Sequence, residues 1–196
     1  MFNEVFQDPA IDNIRFELVK IEEIRDEDFY PGYRVTVHYN LEGLTDNIKF
    51  DLTTGDSIIP EVQSYKHQSI LLDKTIKFLA YPIEQVLSEK LHTIIERNVL
   101  TTRMRDFYDI YTLIKMQENV INFVSLKNSF ENTMQRRKAV IQPNDYQKVI
   151  EVLSVDENVK KLWHLYQSNY SYAEDIAYKD TIQTIRYLMD RIQKVK

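Results

Sequence analysis

Lys90 sits where a helix would normally place an apolar side chain. Residues 81–111 read YPIEQVLSEKLHTIIERNVLTTRMRDFYDIY, and within them Ile83, Val86, Leu87, Leu91, Ile94 and Ile95 recur at helical spacing. At ~100° per residue, Lys90 falls in the middle of that stripe. An ammonium there loses hydration unless an anion meets it, either a carboxylate of the chain or a phosphate of a ligand. A snorkelling lysine or an internal ion pair is the structural alternative. Further on, Arg103-Met104-Arg105-Asp106-Phe107-Tyr108-Asp109 begins a second helix. Thr101 or Thr102 can cap it, and Asp106 and Asp109 suit its positive end. The arginines oppose that dipole. With Arg97 they form a candidate anion-handling corner around a carboxylate pair.

Asp51 is a third candidate. Ile48, Phe50 and Leu52 alternate with Lys49, Asp51 and Thr53, so a strand that buries the first set holds Asp51 on its open face. Thr54-Gly55-Asp56 turns just after it, and a solvated strand residue beside a turn is the plain alternative. Asp26-Glu27-Asp28 has the spacing of a metal pair but lies in a polar run before Pro31-Gly32, where an acidic surface loop is commonplace. Arg136-Arg137-Lys138 ends a predicted helix, where cations suit the C-terminal dipole.

The elements that must position these groups form two blocks. Up to about residue 80 the chain reads as strands: Ile14, Phe16 and Leu18 alternate with polar residues, as do Val35, Val37, Tyr39 and Leu41. Residues 42–47 join the last two strands as an antiparallel hairpin. The apolar run Ile76 to Ala80 leads to Pro82, well placed to open a helix. Helices are predicted near 83–97, 103–116, 120–138, 144–153, 157–168 and 174–193, the last with a capping box of Ser171 and Glu174. The expected fold class is α+β, with a sheet domain over 1–82 and a helical domain over 83–196 that carries Lys90 and Asp106.

Composition narrows the chemistry. The 196 residues are 43% apolar and 28% charged, a globular balance. Cysteine is absent, which removes thiolate and disulfide chemistry, and the four histidines lie at no metal-ligand spacing. No apolar run approaches the ~20 residues of a membrane span, and the N-terminus is not a signal peptide, so a cytoplasmic protein is expected. A net charge of -5 argues against coating nucleic acid by bulk electrostatics. Gly32, Gly43 and Gly55 are the only glycines, too few for a glycine-rich phosphate loop.

Four blocks carry a family resemblance. They are Tyr30-Pro31-Gly32-Tyr33-Arg34-Val35, Ile48 through Asp56, Tyr81-Pro82-Ile83-Glu84 through Ser88-Glu89-Lys90-Leu91, and Thr102 through Tyr111. In this order the chain resembles the AbiEii/AbiGii-type nucleotidyltransferases, the toxin half of abortive-infection toxin–antitoxin pairs, over about residues 14–115. The resemblance implies a polymerase-β-like core with a small mixed or antiparallel sheet. It implies nucleotidyl transfer from an NTP, with tRNA as acceptor in characterised relatives and Mg2+ aligning the phosphates. Asp51 would match the metal-site carboxylate. Lys90 would match the lysine on the nucleotide phosphates, with Arg103 and Arg105 as further nucleotide-binding residues. Asp106 would match the catalytic acid of the last motif. A cognate antitoxin and an oligomer are further implied partners.

One departure stands out. The family's first motif pairs Gly-Ser with an acidic pair, whereas no glycine here precedes Ser or Thr. The expectation is a sheet that is N-terminally incomplete, and a member that begins after its first motif and is impaired as an enzyme. The alternatives are a non-catalytic module that binds nucleotide, RNA or protein, and a structural remnant in which Lys90 is tied to an internal carboxylate.

Overall fold

The computed structural model describes residues 14–24, 32–53, 55, 57–70, 73–141 and 145–195. Asp26-Glu27-Asp28, Tyr30 and Pro31 of the first resemblance block, and Thr54 and Asp56 of the second lie outside them. The chain divides into two compact units, Met1–Ser57 and Ile58–Lys196.

The first unit is an antiparallel sheet of β1 (Ile14–Glu23), β2 (Gly32–Leu41) and β3 (Leu44–Thr53), in that order. Leu41 pairs with Leu44 across a two-residue turn of Glu42 and Gly43, both with positive φ, at 51° and 94°. That is the geometry whose twist matches an antiparallel hairpin, and glycine adopts it without strain. The Asn40 side chain accepts the Gly43 N–H at 3.2 Å. The connection is therefore tighter than the loop expected over 42–47.

The register confirms the alternation but corrects its consequence. Leu18, Val37 and Ile48 share one row, and Ile21, Val35 and Phe50 the next. Val35 and Val37 on the central strand are buried, whereas Ile48, Phe50 and Leu52 stay exposed. Among the described residues β3 has a neighbour on one side only, and an edge strand lacks the lateral cover of a central one.

The second unit opens with the antiparallel hairpin of β4 (Gln63–Gln68) and β5 (Thr75–Ala80). Six helices follow: α1 (Ile83–Arg97), α2 (Met104–Gln117), α3 (Phe123–Arg136), α4 (Tyr146–Val155), α5 (Glu157–Asn169) and α6 (Tyr178–Lys194). Antiparallel sheets followed by helices make this an α+β fold. The stripe of α1 buries Leu87, Leu91, Ile94 and Ile95 completely against α2 and α3. Each such side chain stabilises by about 1.5–3 kcal/mol relative to exposure. Trp163 of α5 is also fully buried, and its indole N–H donates to the Ile176 carbonyl at 3.0 Å.

Two caps differ from expectation. Helix α6 begins at Tyr178 rather than 174, because Ser171–Ala173 forms a separate 3₁₀ turn and no side chain caps Ala177. Helix α2 has Arg103 at its N-cap, and Thr101 acts one step earlier by accepting the Arg103 N–H at 3.3 Å.

Candidate functional site

Lys90 projects from α1 toward two carboxylates of α2. Asp106 and Asp109 are three residues apart, which places them on one face of that helix. The Lys90 ammonium lies 3.0 Å from Asp106 Oδ1 and 2.6 Å from Asp109 Oδ2. Arg103 Nε donates to the other Asp106 oxygen at 2.8 Å. Asp106 is only 3% exposed, so both oxygens are satisfied by cations inside the unit. Its place in the first turn adds the favourable end of the helix dipole. Charge-assisted contacts of this length are strong and directional.

The cations differ in reach. Lys90 is about one-fifth exposed and fixed between its two acids. Arg103 and Arg105 are 56% and 79% exposed, and Arg105 Nε stands 3.8 Å from Asp109 Oδ2. Three cations around two carboxylates leave one net positive charge at the edge of the cluster. A fixed ammonium with two exposed guanidiniums suits an oxyanion carrying several charges, and guanidinium matches phosphate geometry in bidentate fashion.

The structure thus brings together Lys90, Arg103, Arg105 and Asp106. It also holds Asp109, the second acid of the carboxylate pair, to which the resemblance assigns no role. It also adds aromatic neighbours. Tyr108 packs its ring 4.7 Å from that of Tyr172 and 6.3 Å from that of Tyr166, and Tyr170 lies 4.7 Å from Tyr166. No sequence signal links these tyrosines, because they come from separate helices and a turn.

Asp51 belongs to the first unit. Its oxygens accept both Arg34 Nε at 2.7 Å and Arg34 Nη2 at 2.8 Å, a bidentate pair on the polar face of the sheet. Glu22, Arg34 and Asp51 share one register row there. Among the described residues no three His, Asp or Glu groups converge to hold a metal ion.

Other candidates resolve into packing. Arg137 Nη2 donates to Glu89 Oε2 at 2.7 Å, so the basic run at the end of α3 is partly spent on α1. Ser88 of α1 meets Ser129 of α3 at 2.8 Å, and Ser129 donates to Gln85 at 2.9 Å. His92, also on α1, is buried. Burial lowers its pKa to about 4, with Arg137 acting in the same sense and Glu96 opposing. Its Nε2 is 2.7 Å from Glu96 Oε2 but lacks the alignment of a hydrogen bond.

Against known proteins, a family sequence model described as the nucleotidyl transferase AbiEii toxin of type IV toxin–antitoxin systems matches residues 1–186. No curated protein matches. The solved structure of JHP933 from Helicobacter pylori aligns at 17% identity with a TM-score of 0.43, covering 91% of this chain and 65% of that one. A second H. pylori structure, assigned as a nucleotidyltransferase, aligns at 18% identity with a TM-score of 0.41, covering 91% of this chain and 67% of that one. The chain spans about two-thirds of the length of these structures. Among the described residues no helix is long and apolar enough to cross a membrane.

Proposed function

From the AbiEii family of nucleotidyl transferase toxins, to which this chain belongs, we propose that it binds an NTP at the Lys90 cluster for nucleotidyl transfer to an RNA acceptor, with tRNA as the class to test. The carrying observation is the placement of Lys90 between Asp106 and Asp109, with Arg103 and Arg105 exposed beside them. Arg103 and Arg105 meet the incoming phosphates first. Lys90, held extended by its two carboxylates, supplies a fixed charge where negative charge builds on the transferred group. Asp106 is saturated by Lys90 and Arg103, so its role is to position both cations. Asp109 is the more exposed acid and yields part of its hold on Lys90 as phosphate arrives.

A divalent cation supplies charge neutralisation in this kind of chemistry when it is bound. Of the residues that would hold it, Asp51 is paired with Arg34, and no step is assigned to the cation. Asp51 as a metal ligand would require release from Arg34. A cognate antitoxin partner follows from the same family membership, and the helical part from residue 83 is the proposed carrier of the nucleotide site.

The bidentate hold of Arg34 on Asp51 favours a second reading, a module that binds nucleotide without transferring it. One experiment addresses both. The chain is incubated with α-labelled NTPs, magnesium and total tRNA, while NTP binding is measured by titration calorimetry. NTP binding that Lys90→Ala weakens about tenfold is the expected outcome. Label on RNA that Lys90→Ala abolishes supports transfer. Binding without label supports the second reading. Wild-type binding no tighter than Lys90→Ala overturns both.

A further inference from the structure

Four tyrosines adjoin the charged cluster and form an aromatic face that the phosphate chemistry does not use. Tyr108 follows Phe107 on α2 and immediately precedes Asp109. Tyr166 lies in the last turn of α5, and Tyr170 and Tyr172 belong to the connection between α5 and α6. The Tyr170 and Tyr172 rings are stacked, with centroids 5.4 Å apart and an interplanar angle of 28°. Both are about half exposed, at 45% and 52%. Burial and the hydrogen bond with Tyr172 push the Tyr166 hydroxyl well up; Asp109 adds to the rise and Arg105 opposes it, so both charged groups lie within electrostatic reach of the aromatic face.

The turn that carries these rings is rigidly held. The Gln167 amide nitrogen shares its two N–H groups among the carbonyls of Ala173, Glu174 and Ile176, at 3.2, 2.9 and 3.0 Å. The Trp163 indole fixes Ile176 from the core, and the Tyr166 and Tyr172 hydroxyls are hydrogen-bonded at 3.0 Å. Exposed tyrosines locked in place offer contact area at little entropic cost.

We infer that Tyr108, Tyr166, Tyr170 and Tyr172 form a stacking platform for a single-stranded RNA segment whose phosphates lie along Arg103 and Arg105. This rests on the reading that the acceptor is RNA. A strand fits better than one nucleotide, because rings drawn from three places present more face than a single base covers, and two exposed arginines can meet successive phosphates. The net charge of -5 makes bulk attraction to RNA weak, which leaves stacking to supply much of the binding. Base–aromatic stacking has that property and tolerates any sequence.

The test uses the full chain and a fluorescein-labelled single-stranded RNA octamer, read by anisotropy. The octamer is expected to bind with a shallow salt dependence, a log–log slope of about -1.4 for two neutralised phosphates. Tyr170→Leu and Tyr172→Leu are each expected to weaken the octamer about five- to hundredfold and to leave inorganic triphosphate binding unchanged. Tyr170→Phe keeps the ring and is expected to bind as wild type. In the wild-type chain the octamer is expected to protect Tyr170 and Tyr172 from tetranitromethane nitration, a readout that no misfolded variant can mimic. No octamer binding, undiminished binding by the leucine variants, or unprotected tyrosines overturns the platform. Loss of nucleotide rather than octamer binding in those variants assigns the face to the nucleotide's own base and overturns it as well. Triphosphate binding that depends on Lys90 keeps the phosphate reading standing in each of those cases.

Discussion

Asp106 carries more structural weight than either arginine beside it. It is buried, and both of its oxygens hold cations, so removing it strands Lys90 in a partly dehydrated place. Asp106→Ala is expected to destabilise the chain by about 3 kcal/mol, measured by urea unfolding. Arg105→Ala should change stability by less than about 0.5 kcal/mol, since the side chain is mostly exposed and its contact long, yet weaken triphosphate binding several-fold. His92 predicts a pH effect. Burial in the folded state lowers its pKa to about 4 from the ordinary value of 6.5. Between those values the unfolded chain takes up a proton that the folded state refuses. Its contribution is therefore complete above about pH 6.5 and is lost as pH falls toward 4. Urea midpoints followed across that window should fall less steeply for His92→Gln than for wild type. Lys90 and Asp106 were legible in the sequence because helical spacing alone fixes which face each occupies. The role of Arg34 as the partner of Asp51 was not, since pairing across two strands 17 residues apart depends on register. His92 left a trace that went unread, a titratable ring between Leu91 and Ile94 on the apolar stripe.

At the scale of elements, helix α5 links the core to the aromatic face. Asp156 caps it by accepting the N–H groups of Asn158 and Val159, each at 2.9 Å. Asp156→Ala should cost about 1 kcal/mol of stability, seen as a lower midpoint in thermal unfolding. The element order was readable because amphipathic periods of 2 and 3.6 are local properties. Hairpin β4–β5 was harder, since Gln63-Ser64-Tyr65-Lys66-His67-Gln68 carries almost no apolar alternation. The start of α6 was misplaced because Ser171 and Glu174 have the spacing of a capping box while the chain uses them in a 3₁₀ turn pinned by Gln167.

For the molecule as a whole, the buried apolar cluster among the described residues runs from Leu87 to Ile192, entirely within the second unit. Val35 and Val37 are the described buried aliphatics of the first. Hydrogen exchange should therefore report slow amides in α1, α2 and α6 and much faster ones in β1–β3, with the two units opening separately. Equal protection in both would contradict this uneven burial. Sequence periodicity predicts which residues of a strand share a face, as Ile48, Phe50 and Leu52 do. It does not say whether anything covers that face, which depends on tertiary packing.

The hold of Gln167 on its turn has a consequence for chemical ageing. One amide nitrogen serves three carbonyl oxygens, so the position demands a donor. Deamidation changes the side chain by a single group, yet it would set a carboxylate against three carbonyls that already point inward. Conversion of glutamine to glutamate at this one position would loosen the turn bearing Tyr170 and Tyr172.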